Sequence, residues 1–305
     1  MRNRRQHTIP YFYLKKFLNS GVVYRRGDKS PRLVKTPKNV AVRIDYYGRS
    51  SNEFGALDKL NSATENWAAP ILKKLIDDVT SITHSDWVIL SYYFANIYVR
   101  TPAFQDSMIS TFKEMTRQLN KMAEDMKKAY EKAKAEGKDL SLFNTPSFYD
   151  SPRYSIDEWN KWTDKLDQEE GRLDSISVFY SLVRDIAEHI QKMAFHIFEA
   201  PGGLFFITTD RPLVLFSLIS GSSLGAGWGN KDVLGVLPVD PKHLLVMCYR
   251  GKPTVYHVVL SAQDVHYWNI ELMKYAVNEV YSKYTYGIAL DWMLRKGIWK
   301  IKRAG

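Results

Sequence analysis

The residues best equipped for chemistry in this chain are scattered along it and form no familiar motif. Seven histidines are present, at His7, His84, His189, His196, His243, His257 and His266. None of them pairs at a recognised zinc spacing, and HExxH, paired CxxC, the Walker loop and GxSxG are all absent. His189 and His196, seven residues apart, are expected on one face of one helix. Two turns of rise, about 10 Å, would keep them from sharing a metal. The single cysteine, Cys248, lies in an apolar run from Leu244 to Met247. A lone buried thiol excludes internal disulfides and fits a reducing cytoplasm. It also lacks the exposed electropositive setting of a nucleophilic thiol.

Charge carries more information than motif. Residues 1–50 hold thirteen Lys or Arg against only Asp28 and Asp45, although the whole chain is only +10. The rest of the chain is therefore close to neutral. Such asymmetry points to a polyanion partner, with nucleic acid favoured over an anionic membrane surface. The aromatics Tyr11, Phe12, Tyr13, Tyr24, Tyr46 and Tyr47 are interleaved with these cations. That pattern suits stacking on the bases of a single strand, although packing in a core would also account for most of them. No run of about 18 apolar residues is present, so no transmembrane helix is expected. The basic N-terminus is not followed by the apolar stretch of a signal peptide, and the expected location is cytoplasmic.

These residues must be carried by a helix-rich α+β fold, with a mostly antiparallel sheet built mainly from the C-terminal half. Ile9 to Leu18 reads as a short amphipathic helix, with Pro10 tolerated in its first turn. Val22 to Tyr24 and Arg32 to Lys35 read as a hairpin around Gly27, Asp28, Lys29 and Ser30. Cap-type residues Ser50 to Asn52 precede a helix from Glu53 to Asp78 that Pro70 should kink or divide. Ser85 to Val99 is a helix apolar on most sides. Ala103 to Glu136 is a long charged helix with a stripe of Met115, Leu119, Met122, Met126 and Ala129. Further helices are expected at Asp157 to Gln168 and Arg172 to Glu199, the second ended by Pro201, Gly202 and Gly203. Strands follow at Leu204 to Thr208, Leu213 to Phe216, Val233 to Leu237, Leu244 to Tyr249 and Val255 to Val259, with a Gly/Ser-rich loop at Ser217 to Gly229. Helices at Ser261 to Tyr284 and Ile288 to Arg295 close the chain. The expected organisation is one main domain over 1–305: a basic segment 1–50, a helical region 53–199 with a loop or insertion at 137–155, a strand-rich region 203–260 and C-terminal helices 261–295.

An ordered set of short segments then becomes informative. Gln6-His7-Thr8-Ile9-Pro10 is followed by Tyr13-Leu14 and Phe17-Leu18. Pro37-Lys38-Asn39-Val40-Ala41 precedes Asp45-Tyr46-Tyr47. Leu57-Asp58 and Glu65 come next, then Arg100-Thr101-Pro102, Ile207-Thr208-Thr209-Asp210-Arg211-Pro212, Leu237-Pro238-Val239-Asp240-Pro241, and finally Asn269 with Val280-Tyr281-Ser282. Taken in this order, they resemble the family called domain of unknown function 4238 over nearly the whole chain. Asp58 stands where Glu is more usual, and Arg211 where Asn is common. The resemblance implies no agreed activity. Some members resemble single-gene bacterial anti-phage proteins, which implies host defence.

The matched residues suggest a chemistry. His7 can transfer a proton or bind a metal. Asp58 and Glu65 share a helix face two turns apart, Asp210 ends a strand at a Pro-containing turn, and the planar fork of Arg100 suits phosphate. His7, Glu65, Asp210 and Arg100 are therefore the expected catalytic set. Arg4, Arg5, Gln6, Lys38, Tyr47 and Asn269 are the expected substrate-binding set. Asp58, Glu65 and Asp210 are candidate ligands for a divalent ion such as Mg²⁺. The expectation is a nucleic-acid-binding anti-phage effector that cleaves phosphodiesters, on RNA in preference to duplex DNA, with metal or by acid–base chemistry at His7. The alternatives are a non-catalytic sensor or adaptor that binds a phage or host partner, and an enzyme acting on a small phosphorylated ligand. In either case each matched residue could instead serve its own local partner.

Overall fold

Alternating and helical apolar patterns in this chain resolve into seven α-helices and eleven strands among the residues described. The computed structural model describes residues 5–26, 31–44, 46–47, 54–140, 156–166, 169–219, 227–249 and 255–284. Arg4, the hairpin turn at 27–30, the cap residues 50–52, most of the expected insertion at 137–155, the centre of the Gly/Ser-rich loop and the helix expected at 288–295 lie outside them. The chain divides into two compact units, Met1–Phe104 with Phe179–Gly305, and Gln105–Val178.

The larger unit is organised by a five-stranded sheet in the order β10-β5-β9-β8-β7. Its strands are β5 (Ala194–Glu199), β7 (Val214–Ser217), β8 (Val233–Pro238), β9 (His243–Cys248) and β10 (Val255–Val259). All neighbours pair antiparallel except β10 and β5, which run parallel. Alternation along the strands gives the sheet two faces. Val214, Phe216, Val236, Leu244 and Val246 bury one face against Val265 and Leu272 of α7 (Ala262–Tyr275). On the other face Phe195 packs against Trp87 and Phe94 of α3 (His84–Val99). Both helices start on a reciprocal capping box, Thr83 with Asp86 and Ser261 with Asp264, which satisfies donors that a helix leaves open at its N-terminus.

A second sheet, β3-β2-β11-β6, joins the N-terminal hairpin to the C-terminal region. It contains β2 (Gly21–Arg25), β3 (Arg32–Val34), β6 (Thr208–Thr209) and β11 (Glu279–Ser282). The helix α1 (Tyr11–Leu18) leads into β2, and the buried Tyr13 hydroxyl ties it to both sheets. That hydroxyl donates to the Pro238 carbonyl and meets the Thr208 hydroxyl, each at 2.7 Å. A two-stranded ribbon pairs β1 (Arg5–His7) with β4 (Val42–Ile44). Helix α2 (Phe54–Asp77) completes the unit and runs through Pro70 undivided.

In the smaller unit, α4 (Pro102–Ala135, mostly within it) meets α5 (Ile156–Lys165) through Asn120 with Asn160 and through Phe112 with Trp162. The expected apolar stripe on α4 is not a buried one: Met115, Met122 and Met126 are exposed. The more sheltered residues are Phe112, Thr116, Leu119 and Ala123, so the covered face is rotated from the one the methionines mark.

Two expected helices are shorter than their periodicity implied. The helix α6 (Glu169–Ile190) ends at a tight turn, and the following residues form β5 at the heart of the main sheet. His196 is therefore on a strand and His189 on a helix, not two turns apart on one helix. Likewise α7 stops at Tyr275, and Val280-Tyr281-Ser282 belong to β11, not to a last helix. In both places the partner strands are distant in sequence, so pairing overrode a local helical pattern.

Candidate functional site

Three of the expected residues meet where the N-terminal ribbon lies against α2 and α3. Arg100 caps the C-terminus of α3 and is 3% exposed. Its Nη1 donates to the Glu65 carboxylate on α2 at 2.5 Å, and its Nη2 to the backbone carbonyl of His7 at 2.6 Å. Its Nε is buried with no partner among the described residues. Burial alone would lower the Arg100 pKa, but Tyr47, Glu65 and Tyr180 around it raise it above its ordinary value. The guanidinium is thus a fixed internal cation, not a fork offered to solvent.

Neighbouring polar groups extend this contact into a network. One turn before Glu65, Asn61 accepts from Asn96 at 2.8 Å and bonds the Tyr180 hydroxyl. The ring of Tyr180 meets that of Tyr47 edge-on. The Tyr47 backbone N–H donates to the buried Gln6 side chain at 2.7 Å. Burial pushes the Tyr93 and Tyr180 phenols up, so both stay neutral. Gln6 and Tyr47 are thereby interior residues that fasten the ribbon, and they do not line a substrate surface.

His7 is the outermost member, half-buried, with its ring 5.4 Å from that of Tyr11. Burial lowers its pKa below the ordinary 6.5, the charges of Arg100 and Arg5 add to this, and a hydrogen bond to Val40 opposes it. The imidazole is therefore neutral at pH 7, the form that accepts a proton.

The other expected residues do not join this trio. Asp210 accepts backbone N–H groups of Val277, Asn278 and Glu279 at 2.9, 2.6 and 3.2 Å, holding the turn between α7 and β11. Burial raises its pKa to about 6 against the pull of those three bonds. Asn269 bonds the backbone of Phe205 and Ile207 and so ties α7 to the strand-side chain. Asp58 sits half-buried on α2 two turns before Glu65, as the spacing implied. However, Asp58, Glu65 and Asp210 do not converge as a ligand set. Among the described residues, the group of three that does converge is Glu199, His243 and His257. The expected Mg²⁺ set is corrected on this point: Glu65 is engaged by Arg100 and Asp210 by its turn.

Exposed cations flank His7 at Arg5 and along the segment 35–38. Arg5 bonds Asn39 at 2.6 Å beside Lys38, and Tyr11 reaches Thr36 beside Lys35. Arg5, Lys35 and Lys38 are exposed; Arg43 is exposed as well, but it pairs with Gln6 and so lies on the other face of the ribbon from Arg5 and His7, over the Tyr46 ring at 5.4 Å. No Asp or Glu occurs among the described residues from Arg5 to Tyr47.

Sequence reasoning missed Glu199, His243 and His257 because they lie on three strands whose register no spacing reveals. Cys248 is buried as expected, with its Sγ 3.6 Å from His196 Nε2. No described helix is long and apolar enough to cross a membrane.

Comparison with known proteins agrees with the pattern of segments. The family model described as "Protein of unknown function (DUF4238)" matches residues 5–285. No curated protein matches, and no solved structure does.

Proposed function

Since this chain belongs to the DUF4238 family of proteins of unknown function, we propose from its surface that it binds single-stranded nucleic acid, favours RNA over duplex DNA, and cleaves it as an anti-phage effector. The observation that carries this reading is the set of exposed cations Arg5, Lys35 and Lys38 beside the His7 and Tyr11 rings, with no Asp or Glu among the described residues from Arg5 to Tyr47. Clustered cations bind phosphates by releasing counterions, and nearby aromatic faces suit unstacked bases.

His7 is the proton-transfer group in this account. Its neutral imidazole takes the proton of a ribose 2′-hydroxyl, the oxygen attacks the adjacent phosphorus, and the 5′-oxygen leaves and takes a proton from water. The products are a 2′,3′-cyclic phosphate and a free 5′-hydroxyl. Arg100 does not touch the substrate: its bond to the His7 carbonyl makes it a positioning residue. Arg5, exposed and two residues away, takes the phosphate-binding role instead.

The test is incubation of the purified chain with matched RNA and DNA oligonucleotides. RNA should be cut to cyclic-phosphate ends, and DNA bound but left intact. The His7→Ala variant should bind RNA without cutting it. A second reading, a non-catalytic sensor or adaptor, is favoured by the internal engagement of both Arg100 and Asp210. Tight RNA binding with no turnover by the wild-type chain would select it.

A further inference from the structure

Three side chains from adjacent strands of the main sheet converge near one of its ends. Glu199 on β5 lies directly opposite His243 on β9. Glu199 also pairs with Val259 on β10, so His257, two residues earlier on β10, shares its face. The ligand atoms of Glu199, His243 and His257 all lie within 4.8 Å of one another. His257 Nε2 is 2.9 Å from the Glu199 carboxylate.

His243 is oriented from behind. Its Nδ1 lies 3.0 and 3.1 Å from the two Asp240 oxygens. The carboxylate is held in turn by the backbone N–H groups of Lys242 and His243 at 2.7 and 2.9 Å. This arrangement keeps the proton on Nδ1 and leaves Nε2 with its lone pair for the cluster. A carboxylate behind an imidazole is the usual support for a metal-binding histidine. The nearby cation Lys242 turns its ammonium to the carbonyls of Ala200, Pro201 and Leu204, away from competition for the acids.

We propose that Glu199, His243 and His257 bind one divalent transition-metal ion of the zinc class, with Asp240 positioning His243. Two imidazoles and one carboxylate suit Zn²⁺ over Mg²⁺, which prefers an all-oxygen shell. A tetrahedral ion at about 2.1 Å from each ligand needs the ligand atoms roughly 3.4 Å apart. The side chains of Glu199 and His257 are 37% and 39% exposed, which leaves them room to make that adjustment. Three protein ligands leave a fourth position on the solvent side for water, the pattern of a site able to do Lewis-acid chemistry. This proposal uses none of His7, Glu65 or Arg100 and stands apart from the nucleic-acid reading.

The test is titration of Co²⁺ into the metal-free full chain, read by its visible absorption, followed by displacement with Zn²⁺ and by thermal melting with and without Zn²⁺. One equivalent of Co²⁺ should bind in a tetrahedral environment, and Zn²⁺ should raise the melting temperature. The exposed His257→Ala change should leave the circular dichroism spectrum intact and weaken binding at least 10-fold. Asp240→Asn should weaken it by about 10- to 100-fold while sparing the ligands themselves. The proposal is overturned if the wild-type chain gives neither the absorption nor the melting shift, or if a His243→Ala, His257→Ala double variant binds as the wild type does.

Discussion

Arg100 and Glu65, 35 positions apart in sequence, form an ion pair 2.5 Å long whose cation is 3% exposed. Such a pair costs desolvation to build and costs more to break on one side. Glu65→Ala should therefore lower stability by about 3 kcal/mol or more, read by denaturant unfolding. A Glu65→Leu, Arg100→Met double variant should lose less than the single change, because no unpaired charge remains buried. Equal losses in the two variants would mean that the pair is not what holds this region.

Asp210 gives a pH dependence of opposite sign to that of most acids. Its folded pKa is raised to about 6 from 3.8, chiefly by burial. The protonated form is thus favoured by folding. The stability it contributes is fully present below about pH 4 and is lost as pH rises through about 6. The wild-type chain should lose up to about 3 kcal/mol across that window relative to Asp210→Asn. Parallel stability curves for the two proteins would contradict the burial argument.

His7 titrates the other way. Burial, with Arg100 and Arg5 nearby, lowers its pKa below 6.5. Its contribution to stability is present above the ordinary value and is lost as pH falls through the folded one. A nuclear magnetic resonance titration should find the His7 imidazole neutral at pH 6.5. Cleavage should share that titration, so the acidic limb of its pH profile lies below 6.5. A limb above that value would remove His7 as the base.

Gly21 marks where three elements approach most closely. A Cβ there would come within 2.2 Å of the Phe17 carbonyl oxygen and 2.6 Å of the Ser282 one. Both are backbone atoms, so α1 or β11 would have to move. Gly21→Ala should therefore destabilise by about 3 kcal/mol or more, well beyond an ordinary surface change, as measured by thermal or denaturant unfolding.

What the sequence disclosed follows from how local each feature is. The helices at α1, α3 and α5 and the strands β7 to β10 carry their periodicity and breakers in their own residues. The strands β5 and β11 do not: Ile190, Met193 and Ile197 keep a helical spacing although the chain turns after Ile190. Their pairing with β9, β10 and β2 is non-local. The same contrast applies to the site. Matching short segments singled out His7, Glu65 and Arg100, which meet, but also Asp210 and Asn269, which each hold backbone of a segment distant in sequence and stay outside the trio. The Glu199, His243 and His257 group depends on strand register and left no trace in spacing.

The central claim is most directly tested by fluorescence anisotropy of a single-stranded RNA oligonucleotide across a salt series. The wild-type chain should bind with log K falling linearly against log salt, by about 0.7 per phosphate contacted. An Arg5→Ala, Lys35→Ala, Lys38→Ala variant, altered only at exposed positions, should bind more weakly and show a slope smaller by about 2. No binding by the wild-type chain at about 50 mM salt, where phosphate contacts are strong, or an unchanged slope in the variant, would contradict the account.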